Sequence, residues 1–129
     1  MFDTTTALAQ ITNETANSTA RHEVSPLFPF TTTSNVRAAN KLAGFYFFNR
    51  QTMKMFGSKI ESALYAGTLF ITSEESWGDE NRHYTIRYVV PTGEVLTLEG
   101  ASQLDSIDEA RDIASTVAKA LRESNLLTK

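Results

Sequence analysis

The sequence AGFYFFNRQTMKMFGSKIESALYAGTLFITSEESWGDENRHYTIRYVV, residues 43–90, contains most of the aromatic side chains and the strongest alternating apolar pattern of the chain. Residues 63–72 are apolar on both sides, which predicts a strand that is covered on both faces. Residues 82–90 alternate between apolar and polar side chains, which predicts a strand with two different faces. The turn Pro91-Thr92-Gly93 leads into residues 94–98, so the last two predicted strands should form a hairpin.

Two helices are predicted on either side of these strands. Asn49 is a suitable N-cap for a short helix over residues 50–56, and Gly57 is a suitable stop. Ser106 and Glu109 form a capping box for a second helix, in which apolar residues recur at helical spacing. The predicted fold class is α+β: a small antiparallel sheet of about three strands, with a short helix before it and an amphipathic C-terminal helix packed on it.

The chain is predicted to divide into three parts. Residues 1–40 are rich in Thr, Ser and Asn and contain few apolar side chains, so burial should not offset the entropy of ordering them. We expect a flexible or loosely docked arm there, with one or two helical turns at residues 6–11. Residues 41–124 should form a compact α+β domain, and residues 125–129 a frayed tail.

Composition excludes several classes of function. The chain has 129 residues, a net charge of −3 and no cysteine, so disulfides and thiolate zinc sites are excluded. It lacks phosphate-loop, dinucleotide-binding and serine-hydrolase motifs, and we expect no cofactor and no catalytic activity. No apolar run approaches the roughly 18–20 residues of a membrane span and no signal peptide is evident. We therefore expect an intracellular protein without a membrane partner.

An acidic loop over residues 73–81 is the first candidate for a binding surface. Trp77 lies among Glu74, Glu75, Asp79 and Glu80. Tryptophan is enriched at interface hot spots, so an exposed Trp77 ringed by carboxylates would suit a contact with another protein. The loop lacks the spacing of a calcium-binding EF-hand, and we expect no metal there. The alternative is an ordinary solvated hairpin loop.

Two phenylalanines in the arm are the second candidate. Phe28 and Phe30 belong to the segment Ser25-Pro26-Leu27-Phe28-Pro29-Phe30, where proline stiffens the backbone and lowers the entropy lost on docking to a partner. The alternative interpretation is that both rings pack on the protein's own domain, as apolar residues near a domain commonly do.

Charge segregation suggests a second kind of partner. Residues 41–62 carry a net charge of +3, whereas residues 63–100 carry −4. Arg50, Lys54 and Lys59 could contact phosphates of a nucleic acid with release of counterions. The alternative is that these cations simply form the solvated face of a short helix.

An enzymatic site is the third hypothesis. His83 lies on the polar side of the strand predicted over residues 82–90, near Arg87. Catalysis there would need a pocket that joins His83, Arg87 and a carboxylate. The alternative is a surface or partly buried histidine without a chemical role.

Six short motifs follow one another in a defined order between residues 40 and 118. They are Ala43-Gly44-Phe45-Tyr46-Phe47-Phe48, Thr52-Met53-Lys54-Met55-Phe56, Ser58-Lys59-Ile60, Phe70-Ile71-Thr72-Ser73-Glu74, Arg82-His83-Tyr84-Thr85-Ile86-Arg87 and Gly93-Glu94-Val95. Together they resemble a family of small uncharacterised proteins encoded by bacterial viruses. The resemblance implies a phage origin and a compact α+β domain, and it assigns neither an activity nor functional residues.

From these observations we expect a small non-catalytic phage protein that binds a host or phage protein, such as a counter-defence target, in the host cytoplasm. A nucleic-acid-binding accessory protein is the first alternative, and an enzyme with a site near His83 is the second. The sequence leaves self-association of the chain open.

Overall fold

The computed structural model describes residues 2–55, 57–75 and 81–124 of the chain. Within them lie four helices and four strands. In chain order these are α1 (Thr4–Arg21), α2 (Thr33–Leu42), α3 (Arg50–Met55), β1 (Lys59–Ile60), β2 (Leu69–Glu75), β3 (Arg82–Val89), β4 (Val95–Thr97) and α4 (Ile107–Ser124).

The strands form one antiparallel sheet in the order β1-β2-β3-β4. The predicted α+β class and the C-terminal helix are confirmed. The prediction of about three strands is wrong, because the described residues contain four. The additional strand is β1, which has only two residues, and a pattern of period two cannot be recognised over so short a length.

One face of the sheet, here called the first face, is covered by α1 and α4. Leu69 lies opposite Tyr88, and Ile71 lies opposite Ile86. All four side chains belong to an apolar cluster that includes residues of both helices. Ser106 caps α4 as predicted, since its hydroxyl accepts from the amides of residues 108 and 109 at 3.1 and 3.2 Å.

The opposite, second face is covered by α2 and the segments on either side of it. Phe70 and Val89 point to this face and pack with Val36 and Ala39 of α2. Phe30 belongs to the same cluster and is 3% exposed.

The predicted hairpin of β3 and β4 is present.

Residues 4–21, part of the predicted arm, form one helix that is longer than the one or two turns expected. Asp3 caps it by accepting from the amides of Thr5 and Thr6. Ala7 and Ile11 are buried in the cluster of the first face. Thr and Asn have low helix propensity, so this helix is stabilised mainly by packing of its buried side.

None of the helices within the described part of the chain is long and apolar enough to cross a membrane.

Candidate functional site: a basic groove beside α3

Two adjoining grooves lie beside α3. The first has a volume of about 500 Å³ and runs between α2 and the loop that precedes α3. The second has a volume of about 690 Å³ and continues past α3 towards β1. Arg37, Phe48 and Arg50 line both, so the two grooves share a wall. We call their union the basic groove, after five exposed cations that line it: Arg37, Lys41, Arg50, Lys54 and Lys59.

Three elements of the fold bring these cations together. Arg37 and Lys41 are four residues apart on α2, and Arg50 and Lys54 are four residues apart on α3. Residues at this spacing share one side of a helix. Lys59 is contributed by β1. Asn49 caps the start of α3 as predicted, because its side-chain oxygen accepts from the amide of residue 51 at 2.8 Å.

The charges of the basic groove are not neutralised within the described residues. The salt bridges between residues of those ranges involve none of the five cations. Arg37 instead lies over the ring of Phe48, with the guanidinium carbon 5.4 Å from the ring centroid. The groove therefore presents a concentrated positive charge to solvent.

A sixth cation, Arg82, also lines the groove, but its side chain is bound within the fold. It donates to the carbonyl of Gly57 at 2.5 Å and to the hydroxyl of Ser73 at 2.8 Å. It also pairs with Glu75 at 3.2 Å. Arg82 thus holds the end of α3 against the sheet and contributes little free charge.

The aromatic part of the groove is formed by Phe45, Tyr46 and Phe48. Phe48 stacks on Phe70 of the sheet with centroids 6.0 Å apart. Phe45 contacts the ring of His22 edge-on at 5.1 Å. Tyr46 is 73% exposed and lines the first groove. The site therefore combines cations with one open aromatic ring.

The nucleic-acid candidates Arg50, Lys54 and Lys59 are thus brought together in one groove. Arg37 also lines this groove but is not among the residues predicted from the sequence. The signal that could have identified it is the i, i+4 spacing of Arg37 and Lys41, which places two cations on one side of a predicted helix. A net charge summed over residues 41–62 includes Lys41 but leaves out Arg37, so it does not reveal the pair.

Glu74 and Glu75, the described candidates of the acidic loop, lie on opposite sides of β2. Glu74 faces the second face of the sheet, where its carboxylate accepts from Arg87 at 2.7 Å, from Thr72 at 2.7 Å and from Thr85 at 3.2 Å. Glu75 lies on the other side of the strand and its side chain is 65% exposed. The remaining candidates, Trp77, Asp79 and Glu80, lie outside the described residues.

The two phenylalanine candidates of the arm pack within the fold. Phe30 is buried against Phe70, Val36 and Ala39, and Phe28 is partly buried at the edge of the same cluster. Their rings meet edge-on with centroids 5.5 Å apart. This arrangement corresponds to the alternative interpretation of packing on the protein's own domain.

His83 lies on β3, where its Nδ1 atom is 3.7 Å from a carboxylate oxygen of Asp105. Arg87 is engaged by Glu74, and neither of the two grooves is lined by His83 or Arg87. Within residues 2–55, 57–75 and 81–124, no group of three or more His, Cys, Asp or Glu side chains could hold a metal ion.

Comparison with known proteins identifies a family. Neither the curated proteins nor the solved structures gave a match. A family model described as "Family of unknown function (DUF7447)" matches residues 32–115. The matched segment contains all five cations of the basic groove and excludes α1. The predicted resemblance to an uncharacterised family is confirmed, whereas its phage origin stays a prediction. Because the match covers more than half of the sequence, the chain belongs to the DUF7447 family of unknown function.

Proposed function

We propose that this protein is a small non-catalytic nucleic-acid-binding protein whose basic groove holds the phosphate backbone. One observation supports the proposal: five exposed cations from three elements line two adjoining grooves and form no salt bridge with another described residue. Lysine and arginine side chains that replace condensed counterions on phosphates supply most of the affinity of such proteins.

The low net charge of the chain is compatible with this function because the charges are unevenly distributed. The chain has 12 Lys and Arg against 15 Asp and Glu. Six of the cations line the basic groove, and only Arg82 among them is paired there, with Glu75, the described carboxylate that lines the groove. A polyanion responds to the local potential of a groove, which can be positive on a protein of negative net charge.

The test is the salt dependence of binding to a fluorescently labelled oligonucleotide, followed by fluorescence anisotropy. If each of the five cations contacts one phosphate, the slope of log K against log salt concentration should be about −3.5 for a single strand. Affinity should then fall about 100-fold between 50 and 200 mM salt.

A matched pair of variants makes the test specific. The groove variant replaces Arg50, Lys54 and Lys59 by alanine and should lose about two units of the slope. The control variant removes the same charge from the exposed side of α4, on the first face of the sheet, and should bind as the wild type does. It replaces Arg111, Lys119 and Arg122 by alanine. Equal slopes in the two variants, or no binding by the wild type, would refute the proposal.

Binding to another protein is the second candidate function. The exposed carboxylate of Glu75, at the start of the acidic loop, favours it. In this proposal the protein is phage-encoded, acts in the host cytoplasm and uses Trp77 as its anchor. A tagged chain should then retain one host or phage protein from infected-cell lysate after nuclease treatment, and Trp77→Ala should release it. Retention that vanishes with nuclease would return the assignment to nucleic acid.

A further inference from the structure

We infer that the basic groove accepts a single strand rather than a duplex, and that a base of this strand stacks on the ring of Tyr46. The inference rests on the proposed nucleic-acid function and specifies which form of nucleic acid is bound. It is carried by the backbone contacts of Tyr46, by the exposure of its ring and by the cations that share its groove.

The backbone on both sides of Tyr46 is fixed by hydrogen bonds. The amide of Phe45 donates to the carbonyl of Asn40 at 3.0 Å, and the amide of Asn49 donates to the carbonyl of Tyr46 at 3.1 Å. Asn40 is itself buried, and its side chain donates to the carbonyl of Gly93 at 2.9 Å. Tyr46 is therefore held between the end of α2 and the beginning of α3, which reduces the entropy lost when a ligand binds.

The ring of Tyr46 differs from those of its neighbours. Phe45, Phe47 and Phe48 each contact another ring at centroid distances of 4.8 to 6.2 Å. Tyr46 contacts no other ring in the described part of the chain, and it is 73% exposed. A tyrosine exposed to solvent on a fixed backbone offers an open aromatic surface, which is the type of side chain that binds nucleobases by stacking.

The position of the ring within the groove indicates a strand of several nucleotides. Tyr46 lines the same groove as Lys41 and Arg50, and the adjoining groove is lined by Lys54 and Lys59. A base on Tyr46 would place its neighbouring phosphates along these cations. In a duplex the faces of the bases are already stacked inside the helix, so the ring could contact only the backbone or the edges of the bases. Cations that follow a backbone beside an aromatic ring are typical of single-strand sites.

Three labelled probes test the inference with the full chain. The first is a single strand of about ten thymidines, within the usual range of site sizes. The second is a phosphodiester backbone of the same length without bases, and the third is the corresponding duplex. The wild type should bind the single strand most tightly, because only this probe offers both phosphates and free bases.

Variants of Tyr46 separate stacking from charge. Tyr46→Ala should lower the affinity for the single strand about 5- to 150-fold, the range for loss of one base–aromatic stack. It should leave the salt slope and the affinity for the baseless backbone unchanged, because no charge is removed. Tyr46→Phe keeps the ring and should bind as the wild type does. Met55→Ala is the matched control, since Met55 is also 73% exposed but is not among the groove-lining residues.

Each outcome decides the inference. A duplex that binds as tightly as the single strand, a baseless backbone that binds as well as the thymidine strand, or an unchanged affinity in Tyr46→Ala would overturn it. The proposed function would still stand in those cases if binding depended on salt and on the groove cations. Failure of all three probes to bind would overturn both proposals.

Discussion

The ion pair of Glu74 and Arg87 offers the sharpest test of what stabilises the second face of the sheet. Only 15% of the Glu74 side chain and 19% of the Arg87 side chain are exposed. The carboxylate accepts three hydrogen bonds, from Arg87 and from the hydroxyls of Thr72 and Thr85. Arg87 in turn lies over the ring of Phe47, 5.3 Å from its centroid. We predict that Glu74→Ala destabilises the fold strongly.

The magnitude follows from what the substitution leaves behind. A mostly buried guanidinium would lose its counter-ion, and breaking a buried pair in this way costs about 3–5 kcal/mol. Arg87 would keep its hydrogen bonds to Thr72 and Thr97, and both charged side chains retain some contact with water. The loss of unfolding free energy should therefore lie near the lower limit, about 3 kcal/mol.

Urea denaturation followed by circular dichroism measures this loss, with Glu75→Ala as the control on the same strand. The Glu75 side chain is 65% exposed, and its partner Arg82, which is 22% exposed, would keep its hydrogen bonds to Gly57 and Ser73. A pair with an exposed carboxylate of this kind should contribute about 1 kcal/mol or less. A double variant that also replaces Arg87 by methionine should recover part of the stability, because no unpaired charge remains. Equal losses for Glu74→Ala and Glu75→Ala would refute the reasoning, since burial would then make no difference.

Three further predictions concern the packing of the chain. Gly93→Ala should destabilise the fold by more than about 2 kcal/mol in urea denaturation, because the new Cβ would lie 2.8 Å from the carbonyl oxygen of Ala39 at a φ of +97°. Gly44→Ala is the control: Gly44 has a φ of +84° but open space around it, so the substitution should cost only about 1 kcal/mol. Ile11→Ala should cost about 2–5 kcal/mol and increase hydrogen exchange in α1, because Ile11 is buried in the core; a negligible cost would mean that α1 docks loosely. Burial, with a smaller contribution from the charge of a nearby glutamate, raises the pKa of the Tyr88 hydroxyl above its usual 10.0. The stability that the protonated Tyr88 hydroxyl provides is therefore complete below about pH 10 and is lost progressively as the pH rises further. Between about pH 10 and 11 the unfolding free energy should fall less steeply in Tyr88→Phe than in the wild type.

Local sequence signals predicted the parts of the fold that depend on local interactions. The hairpin of β3 and β4 follows from strict alternation and from a Pro-Thr-Gly turn, and the start of α4 follows from Ser106. Helix α1 was predicted too short because its Thr and Asn residues are weak helix formers, while the packing of Ile11 on distant residues cannot be read locally. The short strand β1 was missed for the related reason that only its neighbour β2 defines it.

In the candidate site, too, residues close along the chain were predicted from the sequence, whereas residues brought together by packing were not. The sequence pointed to Arg50, Lys54 and Lys59, which are close along the chain. It did not link them to Arg37, because the proximity of Arg37 to these cations depends on how α2 packs across the second face of the sheet. Glu74 was placed in a partner-binding loop because neighbouring acids suggest a common role. In the sheet, successive side chains point to opposite faces, so Glu74 turns inward and Glu75 outward.

The arrangement of charges in the basic groove is more readily explained by binding than by stability. Arg37 and Lys41 repel each other across one turn of α2, as do Arg50 and Lys54 on α3, and each such pair costs about 0.2–0.5 kcal/mol. A carboxylate in either helix would remove this cost. Among the described acids that pair with cations, Glu74 and Asp108 lie outside the groove, and Glu75, which lines it, is paired with Arg82. A chain of net charge −3 has acids available for such pairing. Repulsion that is retained at a groove beside an exposed tyrosine is therefore the arrangement expected where an anionic ligand supplies the missing charge.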